Sequence, residues 1–173
     1  MNVATNLESS AFYFPQQPAL SETDSEITYG ALNERVNCIA TGLINMGIRQ
    51  GEHVGICAPN SSDWIAFYFG VLKAGAVAVT YSSLLSQDEL TLLVDHSKPR
   101  FIFTSDDKIS ILEGMKGPAG LEKIISQNGD INIQPVSYTH LRAHETPEHL
   151  VCRLLLEKKK PTNTKKILHW LHK

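Results

Sequence analysis

The sequence predicts an α/β fold: a partial parallel sheet flanked by helices and preceded by a short β-hairpin. Two observations predict it. Short apolar runs ("HVGICA", "AVAVT", "RFIFT") alternate with longer segments whose apolar residues recur at helical spacing. Each segment is also bounded by Gly, Pro or a capping Ser. Helical connections between short apolar strands imply parallel pairing, with helices covering both faces of the sheet.

The elements follow in order. "PALSETDSEITY" reads as two extended pieces around Asp24-Ser25, because Asp and Ser bond their own backbone in turns and Ile27, Thr28 and Tyr29 favour strands. Leu32, Val36, Ile39, Ala40 and Leu43 then form one helical stripe, with Gly47 placed to end it. After Gly51, "HVGICA" is a buried strand. Pro59-Asn60 turns the chain, and Ser61 or Ser62 caps the next helix. That helix carries Trp64, Phe67, Tyr68, Val71 and Leu72 on one face and stops at Gly75. The aromatic stripe is expected to be core, with Trp64 substantially buried.

Ala76–Thr80 is the next strand. Ser86 and Glu89 stand at capping-box spacing, each side chain meeting the other's backbone N–H. Their helix should point Leu90, Leu93 and Val94 inward and end before Pro99. "RFIFT" follows as a strand. A weaker helix is expected at Asp107–Met115 and a strand at Lys123–Ser126. Asn128-Gly129 reads as a tight turn into "INI".

Bulk properties exclude several function classes. The 173 residues are 42% hydrophobic and 20% charged, which fits a globular chain. "MNVATNLESSAFYFPQQPAL" lacks a basic region and a long apolar run, so no signal peptide is expected. No stretch is apolar enough for stable membrane insertion. Cys38, Cys57 and Cys152 are odd in number and widely spaced, against a disulfide framework. A cytoplasmic location is therefore expected, where the Asn60-Ser61-Ser62 glycosylation acceptor has no role.

Chemical signals are few. Lys116-Gly117-Pro118-Ala119-Gly120 fits no phosphate-loop spacing, and Pro118 offers no N–H, so a turn is expected. Cys57 sits within an apolar strand and reads as an inert thiol. His53 and His96 lie at element ends without partners at ligand spacing and read as surface or capping residues. The expected list of catalytic, cofactor-binding and metal-binding residues is accordingly empty.

Residue order adds what composition does not. Thr28-Tyr29 with Leu32, the Gly47–Gly51 loop, Pro59-Asn60 before a helix, and Leu72-Lys73-Ala74-Gly75-Ala76 resemble the N-terminal region of the adenylate-forming (AMP-binding) superfamily. The resemblance covers about Pro18 to Ser105 and is closest in look to fatty-acid–CoA ligases. Glu52 stands where the family commonly has Asp, and Thr80-Tyr81-Ser82-Ser83 where it often has Pro and Asn. The resemblance implies a parent enzyme that activates a carboxylic acid, a fatty acid above all, as an acyl-adenylate and passes it to CoA, using ATP and Mg. The family's ATP loop and later motifs are not found here, so the chain itself is expected to be inactive and to need no cofactor. Positioned cations and backbone donors carry such phosphate chemistry.

The tail differs from the body. Residues 1–135 hold 8 Lys and Arg against 15 Asp and Glu, whereas residues 136–173 hold 8 against 3 and five of the seven His. His140 and His144 are spaced for one helix face but bring no carboxylate or Cys pair. Lys158-Lys159-Lys160 with Lys165-Lys166 could attract nucleic acid by charge, but no binding fold accompanies them, and no nucleic-acid partner is expected. Back-translated in a single frame, Val136–Thr146 and His149–Lys160 resemble the two ends of a transposase-type sequencing adapter running into poly-A. Pro147 and Glu148 fall in its variable stretch. Two regions are expected: 1–135, the first part of an AMP-binding ligase domain, and 136–173, a non-native tail. The alternative is a small non-catalytic α/β binding protein whose basic, His-rich tail serves metal or nucleic acid.

Overall fold

The computed structural model describes residues 2–22, 25–116 and 120–127. Helix α1 (Ala4–Tyr13) leads into the hairpin of β1 (Pro18–Glu22) and β2 (Ser25–Thr28). Then come α2 (Tyr29–Asn45), β3 (His53–Cys57), α3 (Ser62–Lys73), β4 (Val77–Thr80), α4 (Gln87–Ser97) and β5 (Phe101–Thr104). A single 3₁₀ turn (Asp106–Lys108), α5 (Ile109–Glu113) and β6 (Lys123–Ser126) complete the order.

The hairpin is antiparallel, with a register shift between Pro18 and Leu20. The four longer-range strands pair in parallel in the order β4-β3-β5-β6. Val54 lies opposite both Ala78 and Phe101, and Phe101 opposite Lys123. Strand β5 is buried at every position, as a parallel strand covered on both faces must be.

Period-two alternation divides the strand side chains between two cores. Val54, Ile56, Phe101 and Phe103 join Val36, Ile39, Leu43, Phe67 and Val71 under α2 and α3. Cys57 and Ile102 join Tyr81, Leu90, Val94, Ile109 and Leu112 under α4 and α5. The expected α/β class, parallel sheet and leading hairpin are all present.

Local signals explain most boundaries. Thr28 ends β2 and caps α2, its hydroxyl accepting the Ala31 N–H at 3.3 Å. Tyr29, expected to extend the strand, instead opens the helix. Gly47 (φ 94°) and Gly75 (φ 78°) take the left-handed conformation just past α2 and α3. In both cases the next residue's N–H reaches back into the last turn (Ile48 to Leu43, Ala76 to Val71). The capping box at α4 forms with both arms, Glu89 Oε2 accepting the Ser86 N–H at 2.9 Å. Lys98 ends α4 at φ 45°, a conformation rare outside Gly, directly before Pro99.

One expectation needs correction, and one element has no counterpart in the sequence reading. Leu93 is 41% exposed rather than core, because the inward face of α4 is set by Leu90 and Val94, four apart. Trp64 packs against the core as expected, stacking on Tyr68 (5.5 Å, 8°) at the rim while Phe67 and Val71 fill the interior. Helix α1 was not expected at all; its apolar pattern is weak, and only Ala4 and Leu7 are buried. Asn2 starts it by accepting the Ala4 N–H at 3.0 Å and ties it to α3 by donating to the Leu72 carbonyl at 2.6 Å. Asn128-Gly129, "INI" and the tail beyond lie outside the described residues.

Candidate functional site

After β3 the chain passes to one side to form β4, then crosses back to form β5 on the other side. Open α/β sheets bind ligands outside the carboxyl ends of the strands at such a reversal. The candidate site is therefore the crevice beyond Cys57 and Thr104.

The polar groups there are bonded to one another. Thr104, fully buried, donates its hydroxyl to the Cys57 carbonyl at 2.8 Å. Ser61 caps α3 by accepting the Trp64 N–H at 3.2 Å, and it also accepts a bond from Gln127 Nε2 at 3.3 Å. The same amide donates to Asp63 Oδ2 at 3.2 Å, and Asp63 is ion-paired with Arg35 of α2. Glu22 of the hairpin accepts the Ser62 N–H at 2.7 Å. That bond lowers the Glu22 pKa below the usual carboxylate range. Burial pulls Arg35 down from its ordinary value, with Glu22 opposing. Ser126 donates to Asp106 at 2.6 Å, and Lys108 to the Leu85 carbonyl at 3.0 Å.

A helix N-terminus at a sheet reversal would ordinarily suit a phosphate. Here two of the first-turn donors of α3 are taken, the Trp64 N–H by Ser61 and the Ser62 N–H by Glu22, which already supplies a negative charge. Bound ATP, or a magnesium ion carried on it, would have to displace that carboxylate. Among the described residues no cluster of three or more His, Cys, Asp or Glu is placed to hold a metal ion. The described crevice does not fit the nucleotide and metal of an adenylate-forming reaction, and no step is derived through them.

The opposite, amino edge of the sheet carries an open depression of about 550 Å³. Arg100 organises it. Its guanidinium pairs with Glu52 at 2.7 Å and Glu122 at 2.9 Å and donates to the Gly47 carbonyl at 2.6 Å. The bond to Glu52, then that to Glu122, raises its pKa further. One side chain thus ties the end of α2 and the entries to β3, β5 and β6. Because this edge is where the strands begin, the depression reads as a structural clasp.

The residues singled out in the sequence are dispersed. His53 Nδ1 lies 2.6 Å from the Ser97 carbonyl at the end of α4, a capping contact. His96 is exposed on the last turn of α4. Cys57 is fully buried with its thiol 3.8 Å from the Ser82 carbonyl, and burial pushes its pKa up. Lys116 bridges to Leu121 and lies 3.9 Å from Glu113; Gly117, Pro118 and Ala119 lie outside the described residues. So do His140, His144, Cys152 and the lysine run. Sequence reasoning missed the Glu22–Ser62 and Gln127–Asp63 links. Only the acidic first turn at Asp63 gave a local sign of them.

The AMP-binding enzyme family matches residues 7–166. The chain belongs to that family. Among curated AMP-binding relatives, a linear gramicidin synthase of Brevibacillus parabrevis is 32% identical over 67% of the chain and 1% of the relative. The putative acyl-CoA synthetase YngI of Bacillus subtilis is 35% identical over 58% of the chain and 19% of the relative. Among solved structures, the anthranilate CoA ligase AuaEII, in complex with anthranoyl-AMP, superposes with a TM-score of 0.69 at 27% identity. That covers 75% of this chain and 25% of the ligase. A Mycobacterium tuberculosis fatty acyl CoA synthetase gives 0.68 at 25% identity, covering 73% and 26%. The chain thus spans about a quarter of these solved ligases and no more than a fifth of these curated relatives. The sheet and hairpin are those of the N-terminal domain of adenylate-forming enzymes. No helix among the described residues is long and apolar enough to cross a membrane.

Proposed function

We propose that this chain is the opening portion of an ATP-dependent carboxylic acid–CoA ligase, with a fatty acid as the parent's substrate, and that by itself it does not turn over. One observation carries the reading. The carboxyl-edge crevice, where an open α/β sheet would bind its ligand, is closed by its own side chains: Glu22 on α3, and Gln127 across Ser61 and Asp63. The elements that would present phosphate donors in an adenylate-forming enzyme are not among the matched motifs. The fatty acid is favoured by the look of the Thr28–Ala76 stretch and by the likeness to a fatty acyl CoA synthetase. The parent acts in the cytoplasm on soluble partners (acid, ATP and CoA), without nucleic acid.

We further propose that residues 136–173 are foreign to the parent, as the adapter-like frame of Val136–Lys160 suggests. The family match reaches residue 166, so this boundary is open to a direct test. A single genomic read across the codon for Gln134 should continue into ligase sequence. A read entering "SYTHLRAHET" would overturn the proposal.

Activity is tested by pyrophosphate release from purified 1–173 with ATP and a panel of fatty acids, beside a full-length acyl-CoA synthetase. The expected outcome is a rate equal to the blank, since losing even one preorganised oxyanion donor costs about 10²–10³ in rate. Turnover that stays with the purified protein would defeat the reading.

A further inference from the structure

The strand β4 forms one edge of the parallel sheet, and no strand pairs with its outer side among the described residues. Its pairing with β3 fixes which groups point outward. The N–H groups of Val77 and Tyr81 bond to Glu52 and Ile56 on the β3 side. By the alternation of a parallel ladder, the backbone groups of Ala78 and Thr80 face the open side. This edge lacks the usual guards. Residues 74–87 contain no charged residue and no Pro, and the pairing from Val77 to Thr80 runs without a bulge.

Apolar exposure gathers in the same layer. Val79 packs with the α4–α5 core, so Val77, two residues away, points to the same face and is 43% exposed. The loop after β4 carries Leu84 at 92% exposure, and α4 adds Leu92 at 70% and Leu93 at 41%.

We propose that β4 is a self-association surface, pairing antiparallel with β4 of a second copy about a two-fold axis. The outward groups make Ala78 and Thr80 the hydrogen-bonded positions, and the proposed register is the one that uses both. Ala78 of one copy exchanges both backbone hydrogen bonds with Thr80 of the other, and Val79 faces its own counterpart on the axis. An isologous contact of this kind needs one surface only, and it closes at two copies. Charge argues for the second copy as occupant. Residues 1–135 carry a strong acidic excess that would keep copies apart over most of the surface. The face around β4 is uncharged from Ala74 to Gln87, so two copies meet there without like charges opposed. This inference is independent of the parent's chemistry.

The test is the mass of the full chain by light scattering across a concentration series. The expected result is a rise from one copy to two. Ala78→Pro removes a donor that points away from β3, so it should hold the protein at monomer mass while leaving the β3–β4 ladder intact. Thr80→Lys should do the same by placing a charge on the edge. Far-UV circular dichroism reports whether Ala78→Pro still folds; if it does not, Thr80→Lys decides. A monomer at every concentration, association unchanged in the folded variants, or growth beyond two copies would each overturn the proposal.

Discussion

The two faces of the sheet are built differently. Under α2 and α3 the contact is close and almost wholly apolar. Phe67 stacks on Phe103 at 4.5 Å, and Gly70 lets α3 approach so near that a Cβ there would sit 2.4 Å from Ile39 Cγ2. Under α4 and α5 the core is smaller and includes a polar tether. The Tyr81 hydroxyl lies 2.6 Å from Ser97 Oγ, and the same Ser97 hydroxyl bonds the Leu93 carbonyl within α4. Leu84, Leu92 and Leu93 remain exposed on that side. The difference lies in the packing beneath the helices, since apolar exposure occurs on both sides: Phe12 and Tyr13 of α1 and Ile44 of α2 are exposed as well. The contrast is between a face held by close apolar contact and one held in part by a hydrogen bond.

Breaking the close apolar contact should have the largest effect. Phe67→Ala removes a fully buried ring with its stacking partner, and a loss of about 3–5 kcal/mol is expected. Urea unfolding followed by far-UV circular dichroism would measure it; a loss below about 1 kcal/mol would show that the layer relaxes into the cavity. Gly70→Ala probes the same contact from the opposite direction. Its methyl has no room against Ile39, and overpacking of this kind costs about 1–3 kcal/mol. An unchanged unfolding midpoint would mean that the helices separate without strain.

The tethered face should respond less. Tyr81→Phe keeps the buried ring and removes one hydrogen bond, for a loss of about 0.5–1.5 kcal/mol in the same titration. Burial raises the Tyr81 pKa, so the hydroxyl stays protonated well into the alkaline range and the tether persists there. The smallest effect belongs to the α4 cap. Bonds from the Ser86 hydroxyl and backbone N–H lower the Glu89 pKa below that of an unfolded glutamate. A depressed carboxylate contributes stability above its unfolded pKa, and that contribution is lost as pH falls through the folded value. Protection of the first-turn amides of α4, taken relative to their intrinsic exchange rates at each pH, should therefore fall on acidification below the ordinary carboxylate range. Glu89→Gln, which keeps capping-box geometry without titrating, should flatten that dependence. A variant with the same acid response as the original would locate the effect in another group.

Much of this architecture is legible in the sequence because its causes are local. The stripe Leu32–Leu43, the Gly47 and Gly75 stops, the Ser86–Glu89 box and Pro99 each act within a turn or two of chain. Helix α1 is not legible, because its order depends on docking: Asn2 reaches Leu72, and Glu8 pairs with Lys73 at 2.5 Å, both on α3. Leu93 reads as deeper than it is because periodicity gives a face, while the neighbouring element decides how much of that face is covered.

Residue order and short-range capping suffice for the α/β class, the parallel strands, the leading hairpin and membership of the adenylate-forming family. The strand order is a different matter, settled only in the folded chain; it puts the reversal between β3 and β5 and makes β4 an edge. Folding also decides that Glu22, 40 residues before Ser62 in the chain, closes the N-terminus of α3, and that Gln127 reaches Ser61 and Asp63. Those contacts join groups far apart along the chain, and no local pattern encodes a meeting that only the folded sheet brings about.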